Sequence, residues 1–190
     1  MAAMTRAFRF DLAKGVQCAG VVLRDYGPME RLRLLKILYV ANRRKLAETG
    51  IPLLGGRLSA LDHGPLHSEV YDAIKGHGDD AAWNAAFENV GQRVRQRDGV
   101  AVPRDRLSPY EVDLLNEVRD WAEGFSVWDL SDYTHEFAEW QANRPPAKSS
   151  RPIHVEELLE AVGMTAEEAE GIVSDQAASE RFDALMGIGG

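Results

Sequence analysis

The architecture of this chain turns on LLKILYVANRRKLAETGIPLLGGRLSALDHGPLHSEVYDAI, residues 34–74. Leu34, Leu35, Ile37, Leu38, Tyr39 and Val40, with Met29 and Leu32 just upstream, are apolar on more than one helical face. That pattern predicts a central, enclosed helix with Pro28 as its first residue and Gly50 as its stop. Residues 51–56, with one proline and two glycines, read as a turn, and residues 57–61 as a short extended piece. Gly64-Pro65 is expected to restart a helix that carries Leu66, Val70, Tyr71 and Ile74 and ends by Gly76 or Gly78.

Upstream, Asp11 can cap a helix bearing Leu12, Val16, Ala19 and Leu23 at spacings of three and four, ending before Gly27. Downstream, Asp79 or Asp80 is expected to cap a short helix through Trp83 and Phe87. The stretch QRVRQRDGVAVP, residues 92–103, changes period to two, and Asp98-Gly99 supplies the positive φ angles of a two-residue hairpin. Ser108-Pro109-Tyr110-Glu111 is a capping box with proline at the first helical position, followed by Val112, Leu114, Leu115, Val118 and Trp121. Ser126 to Tyr133 offers another short helix, with Trp140 just beyond. Residues 142–152, ANRPPAKSSRP, have the composition of a linker. Two helices are expected after it, Val155 to Val162 and, capped by Thr165 with Glu168 three residues on, Ala166 to about Met186. Their apolar stripes are too thin to form a core alone, so they dock on something or stay partly disordered. The fold expected is mainly α (α+β): a compact helical domain over residues 10–141 with a small β-hairpin, and an acidic helical extension over residues 153–190.

The 190 residues suit one domain with an appendage, and 45% hydrophobic content excludes wholesale disorder. The lone Cys18 can form neither an intramolecular disulfide nor a cysteine-based zinc site. MAAMTRAFRFDLAKG lacks the apolar run of about 7–15 residues of a signal peptide, and no stretch approaches the roughly 18 apolar residues of a membrane span, so a cytoplasmic protein is expected. The net charge of −8 is concentrated: residues 156–190 hold nine acids and one base, and the other 155 residues are balanced. An acidic tail disfavours nucleic acid, whose phosphates need dense Lys/Arg surfaces. It suits a basic partner, or solvation alone.

No constellation for catalysis emerges. His63 and His67 straddle Gly64-Pro65, and HEFAE, residues 135–139, lacks the second histidine of the HExxH pattern that holds zinc from one helical face. PLLGGR is followed by no GK[ST], and neither a GxGxxG nor a GxSxG motif occurs. Cys18 lies in an apolar helix, where a thiol behaves as a small hydrophobe. No metal, no cofactor and no enzyme activity are therefore expected. The basic clusters, Arg31 to Lys45 and Arg93 to Arg106, could form a nucleic-acid patch or face an acidic partner, but solvated faces paired with the chain's own acids explain them more simply. Lys36, among leucines and isoleucine, points instead to a partly buried, paired ammonium. The tryptophans and Tyr133 read as core or core edge.

In order and spacing, several blocks resemble the Panacea antitoxin domain, the SocA-like family also called phage-associated GepA-like. They are Lys36 and Tyr39; Ala60, Gly64, Pro65, Val70 and Tyr71; Leu107, Ser108 and Glu111; and Thr134, His135 and Trp140. The likeness spans roughly residues 10–141. One departure is Glu139, where the family commonly has proline. The resemblance implies a bacterial or phage antitoxin that binds and neutralises a cognate toxin, often encoded beside it. In the SocA branch it implies an adaptor that delivers the toxin to the protease ClpXP. A DNA-binding autoregulator is a third reading. Glycine, proline and tryptophan punctuate folds, which favours scaffold roles for the motif positions. The expected interface candidates are therefore Arg93, Arg95 and Arg97 of the hairpin and Glu157, Phe182 and Leu185 of the tail.

Overall fold

A computed structural model describes residues 8–77 and 80–186; the expected helix end at Gly78 and cap at Asp79 fall outside the described residues. Among these, nine helices and six short strands follow in the order α1 (Leu12–Leu23), β1 (Met29–Glu30), α2 (Arg31–Thr49), β2 (Leu58–Leu61), β3 (Gly64–His67), α3 (Ser68–Lys75), α4 (Ala81–Ala86), β4 (Phe87–Val90), β5 (Arg93–Gln96), α5 (Pro109–Ala122), α6 (Val127–His135), α7 (Ala138–Ala142), β6 (Ser150–Ile153), α8 (Val155–Ala161) and α9 (Ala166–Met186). The architecture is mainly helical with two small antiparallel sheets, β1-β5-β4 and β3-β2-β6. No helix among the described residues is long and apolar enough to cross a membrane.

Helix α2 is the axis. Its residues from Leu34 to Asn42 are all buried, against α1, α5, α6 and β3. Each fully enclosed leucine or isoleucine there contributes about 1.5–3 kcal/mol of transfer free energy. Asp11 caps α1 by accepting from the Lys14 amide, and the Ser108–Glu111 capping box opens α5 as expected. Glu111 does more than cap. Its Oε1 accepts from Lys14 Nζ at 2.7 Å and Lys45 Nζ at 2.6 Å, tying α1, α2 and α5 at one point. Burial alone would raise this carboxyl, but the two ammonium groups and the Ser108 amide outweigh it and hold it at about 2.

Three local expectations are corrected. Pro28 does not open α2: Met29 and Glu30 pair with Val94 and Arg93, and the helix starts at Arg31. Gly64-Pro65 does not restart a helix: it opens β3, with Ala60 opposite Pro65 and Leu61 opposite Gly64, and α3 begins at Ser68. Since β3 is a sheet edge, the missing proline amide leaves no ladder bond broken. The Arg-rich hairpin turns at Gly91-Gln92, where Gly91 has φ +61°, and not at Asp98-Gly99. Burial of Phe87 and Val94 on one sheet face sets that register, and it starts β4 at Phe87, which the sequence placed in a helix.

The stretch expected as a linker includes most of β6, which pairs along the whole of β2. The extension is anchored on its own domain through Ile153, Leu158, Leu159, Ala169 and Val173, all buried. Beyond Val173 the large apolar side chains of α9 face solvent: Phe182 is 59%, Leu185 86% and Met186 60% exposed.

Candidate functional site

Lys36, Gly64, Pro65, Thr134 and Trp140 meet where the β2–β3 hairpin is gripped between α2 and the α6–α7 pair, whereas Leu107, Ser108 and Glu111 lie at the start of α5. Lys36 Nζ, fully buried, donates to the Pro65 carbonyl at 2.9 Å. Ser131 Oγ donates to the His63 carbonyl at 2.9 Å, and Trp140 Nε1 to the Leu61 carbonyl at 3.0 Å. The ring of His135 stacks on Trp140 at 4.1 Å. Below them Tyr39 donates to Glu139 Oε1 at 3.2 Å, and Arg43 Nε reaches the same oxygen at 3.0 Å while lying over the Phe137 ring. Three carbonyls of one hairpin are thus held by three side chains from far-off helices, which fixes the hairpin's orientation as well as its register. Val70 is buried in α3 under this assembly, whereas Tyr71 is half-buried beneath the Lys75 ammonium.

Gly64 shows why that position excludes a side chain. Its φ is +93°, and a Cβ there would overlap Thr134 Oγ1 and sit 2.6 Å from Lys36 Nζ. Gly64→Ala is expected to cost about 2–4 kcal/mol through strain and the displaced lysine, lowering Tm by roughly 5–15 °C in a calorimetric scan.

Among the described residues Lys36 has no carboxylate partner, and it is completely rather than partly buried; the acceptor it meets is the Pro65 carbonyl. Burial lowers its pKa well below the lysine range. His67 is equally enclosed, with neither ring nitrogen hydrogen-bonded to any described residue, and burial pulls it down to about 4. His135 is shifted in the same direction, by burial first and by Lys36 second. Cys18 is completely buried in α1, where burial pushes its thiol up to about 12 and it serves as a packing group. No three His, Cys, Asp or Glu side chains among the described residues converge as a metal ligand set.

One face of the grip opens to solvent. A cavity of about 610 Å³ lies between α2, the hairpin, α3 and the start of α6, floored by Leu35, Leu66 and Lys36 and rimmed by His63 and Trp128. Trp128 is 59% exposed, with the His63 ring in an edge-to-face pair with it at 5.4 Å. Sequence alone placed this tryptophan with the core; no local signal sets it apart from Trp83 or Trp140, which are buried.

The expected interface arginines stand elsewhere. Arg93 pairs with Glu30, Arg95 with Glu88 and Asp98, and Arg97 with Glu88. In α2, Arg33 caps the carbonyls of Ala122 and Phe125, and Arg43 and Lys45 serve the carboxylates named above. Each of these side chains therefore has a carboxylate or carbonyl partner within the chain. Glu157 closes the capping box of α8 and accepts from Asn143, a structural task.

A family model described as antitoxin SocA-like, Panacea domain, matches residues 34–141. These residues run from the first turn of α2 into α7, and they enclose the whole grip on the hairpin. Neither curated proteins nor solved structures yielded a match.

Proposed function

Because the chain belongs to the SocA-like antitoxin family with the Panacea domain, we propose that it holds a cognate toxin inactive by direct, stoichiometric protein–protein contact. The family match carries this reading. The arrangement of side chains supports it: Lys36 and Trp140 are engaged in holding the hairpin, and large apolar side chains are left at the surface. Trp128 stands at the mouth of an apolar cavity, and Phe182, Leu185 and Met186 stand unpacked on the last turns of α9. Exposed large aromatics and aliphatics of this kind anchor protein interfaces.

The extension cannot be tested by removing all of it, because β6 and α8 contribute Ile153, Leu158 and Leu159 to the core. A chain ending after Gln176 retains those residues and Val173. Co-expressed with the toxin encoded beside its gene, the full chain is expected to restore growth in cells with or without ClpXP. The shortened chain is expected to keep the wild-type Tm within a few degrees and to lose about tenfold or more in affinity for the toxin. Rescue that vanishes without the protease, with rapid toxin turnover in its presence, would establish a proteolytic adaptor in place of an inhibitor.

A further inference from the structure

The acidity of this chain is not confined to its tail. Residues 107–140 hold nine acids against one base, Arg119, which pairs with Asp120. Glu111 and Glu139 are buried and paired, and the other acids are exposed on α5 and α6. On α6 they alternate with aromatics. Trp128, Asp132 and Glu136 follow at spacings of four, and Asp129 and Tyr133 form the neighbouring row at the same spacing. All five are exposed, so two aromatic rings and three carboxylates share one helix face.

The rings are braced and the carboxylates lack cations. Tyr133 stands among Trp121, Phe125 and Phe137 at 5.0, 5.7 and 5.4 Å, and Trp128 against His63. Rings already fixed by packing lose little freedom on binding, which suits them as interface anchors. Asp129 accepts from Ser126 Oγ at 2.7 Å, and Asp132 has His135 Nδ1 at 3.6 Å, an imidazole whose pKa burial lowers. Among the described residues no lysine or arginine pairs with Asp129, Asp132 or Glu136, whereas the hairpin acids Glu30 and Glu88 are both taken by arginines.

Like charges crowded on one face favour a partner of opposite sign. A guanidinium matches both components of this face, because it binds carboxylates through a fork of donors and lies flat on aromatic rings. The same aromatic cluster already receives guanidinium groups of its own chain: Arg44 lies over Trp121 at 5.1 Å and Arg43 over Phe137 at 4.3 Å. We propose that the outer face of α6 is a docking surface for an arginine-rich segment of the toxin, its guanidinium groups meeting Asp129, Asp132 and Glu136 and stacking on Trp128 and Tyr133. This rests on the reading of the chain as a toxin-binding antitoxin and adds the charge of the toxin's contact surface.

The test compares the full-length wild type with Trp128→Ala, with the α6 triple variant Asp129→Asn, Asp132→Asn and Glu136→Gln, and with a control, Glu167→Gln, Glu170→Gln and Asp175→Asn, that removes the same charge from α9. Every substituted side chain is exposed, so each variant is expected to keep the wild-type Tm within a few degrees. In the first arm the peptides acetyl-Leu-Arg-Arg-Leu-Arg-amide and acetyl-Leu-Glu-Glu-Leu-Glu-amide are titrated, and binding is followed by the indole N–H signal of Trp128, assigned with Trp128→Phe. The Arg peptide is expected to move that signal and the Glu peptide to leave it in place. The α6 triple variant is expected to bind the Arg peptide about fivefold or more weakly, and the control to bind it as the wild type does. Equal weakening in both triple variants, an unmoved Trp128 signal, or no binding at millimolar concentration overturns the proposal.

In the second arm affinity for the purified toxin from the adjacent gene is measured. Trp128→Ala and the α6 triple variant are each expected to lose about tenfold or more, the triple variant's loss shrinking as salt is raised. Unchanged affinity in both overturns the docking surface while leaving direct neutralisation intact. A loss in Trp128→Ala alone overturns the basic character of the partner segment. A wild-type chain that dimerises in gel filtration and becomes monomeric in the α6 triple variant gives this face to a second copy, which also overturns the proposal. A wild-type chain that does not bind the toxin at all overturns both readings, whatever the peptides do.

Discussion

Glu139→Ala is expected to destabilise the fold by about 2–4 kcal/mol, lowering Tm by roughly 5–15 °C. The carboxylate is almost wholly buried, and its Oε1 serves two donors, Tyr39 OH and Arg43 Nε. Tyr39 has no exposed surface, so deleting the acceptor strands a hydroxyl where water does not reach. Burial, and then the adjacent Glu139 charge, raise the Tyr39 pKa well above its usual value, so the phenol remains the donor across the accessible range. Arg43 suffers less, because a quarter of its side chain is exposed and it retains a bond to the Ala161 carbonyl. A double-mutant cycle separates the parts. Tyr39→Phe in the Glu139→Ala background is expected to cost little more than Glu139→Ala alone, since the hydroxyl has no partner left to lose. Fully additive losses would show that the two side chains do not act through one hydrogen bond.

The second large effect is a pH dependence located at His67. Burial holds the folded imidazole at about 4, against about 6.5 in an unfolded chain. A base with a depressed folded pKa lets the unfolded state bind the proton first, so stability declines as pH falls from about 6.5 towards 4. The decline totals about 3 kcal/mol, and this group contributes no slope above pH 7. His135 is shifted in the same direction and adds to the acid-side loss, so the informative quantity is the difference between variant and wild type. Glu111 acts lower: its depressed carboxyl contributes stability that is lost as pH falls from about 4.5 to about 2. His67→Leu should be no more than modestly perturbed at pH 7.5. At pH 4.5 it should retain about 2–3 kcal/mol that the wild type has lost, read from urea denaturation at the two pH values. Parallel losses in both proteins would place the acid sensitivity elsewhere.

Features set by neighbours in sequence could be read from the sequence, and features set by distant pairing could not. The α5 start was legible because serine, proline and glutamate lie within one helical turn and satisfy one another there. Thr165 and Glu168 form the same reciprocal pair before α9. Gly64-Pro65 was misread because proline suits a first helical turn and an edge strand equally well; the choice is made by residues 58–61, which pair with it. Asp98-Gly99 is the stronger local turn signal, yet burial of Phe87 and Val94 places the turn seven residues earlier. The strand in the expected linker is defined only by its partner β2.

The site shows the same division. The motif residues were identified by resemblance, but their meeting was not, because Lys36 is 29 positions from Pro65, Ser131 is 68 from His63 and Trp140 is 79 from Leu61. Glu139 entered the sequence reading as part of an incomplete zinc pattern and as a departure from the family's proline. In the structure it is the acceptor that ties α7 to α2. The carbonyls that Lys36 and Arg31 meet, those of Pro65 and Gly91, come from two different hairpins, which no single stretch of sequence encodes.

Titration of the purified toxin with the purified full-length chain, in the absence of any protease, tests the central claim most directly. Direct neutralisation predicts that toxin activity falls in proportion to added protein and is abolished near one equivalent, with a complex that persists through gel filtration. A toxin that stays fully active in excess antitoxin, and is lost only when ClpXP and ATP are added, would contradict it.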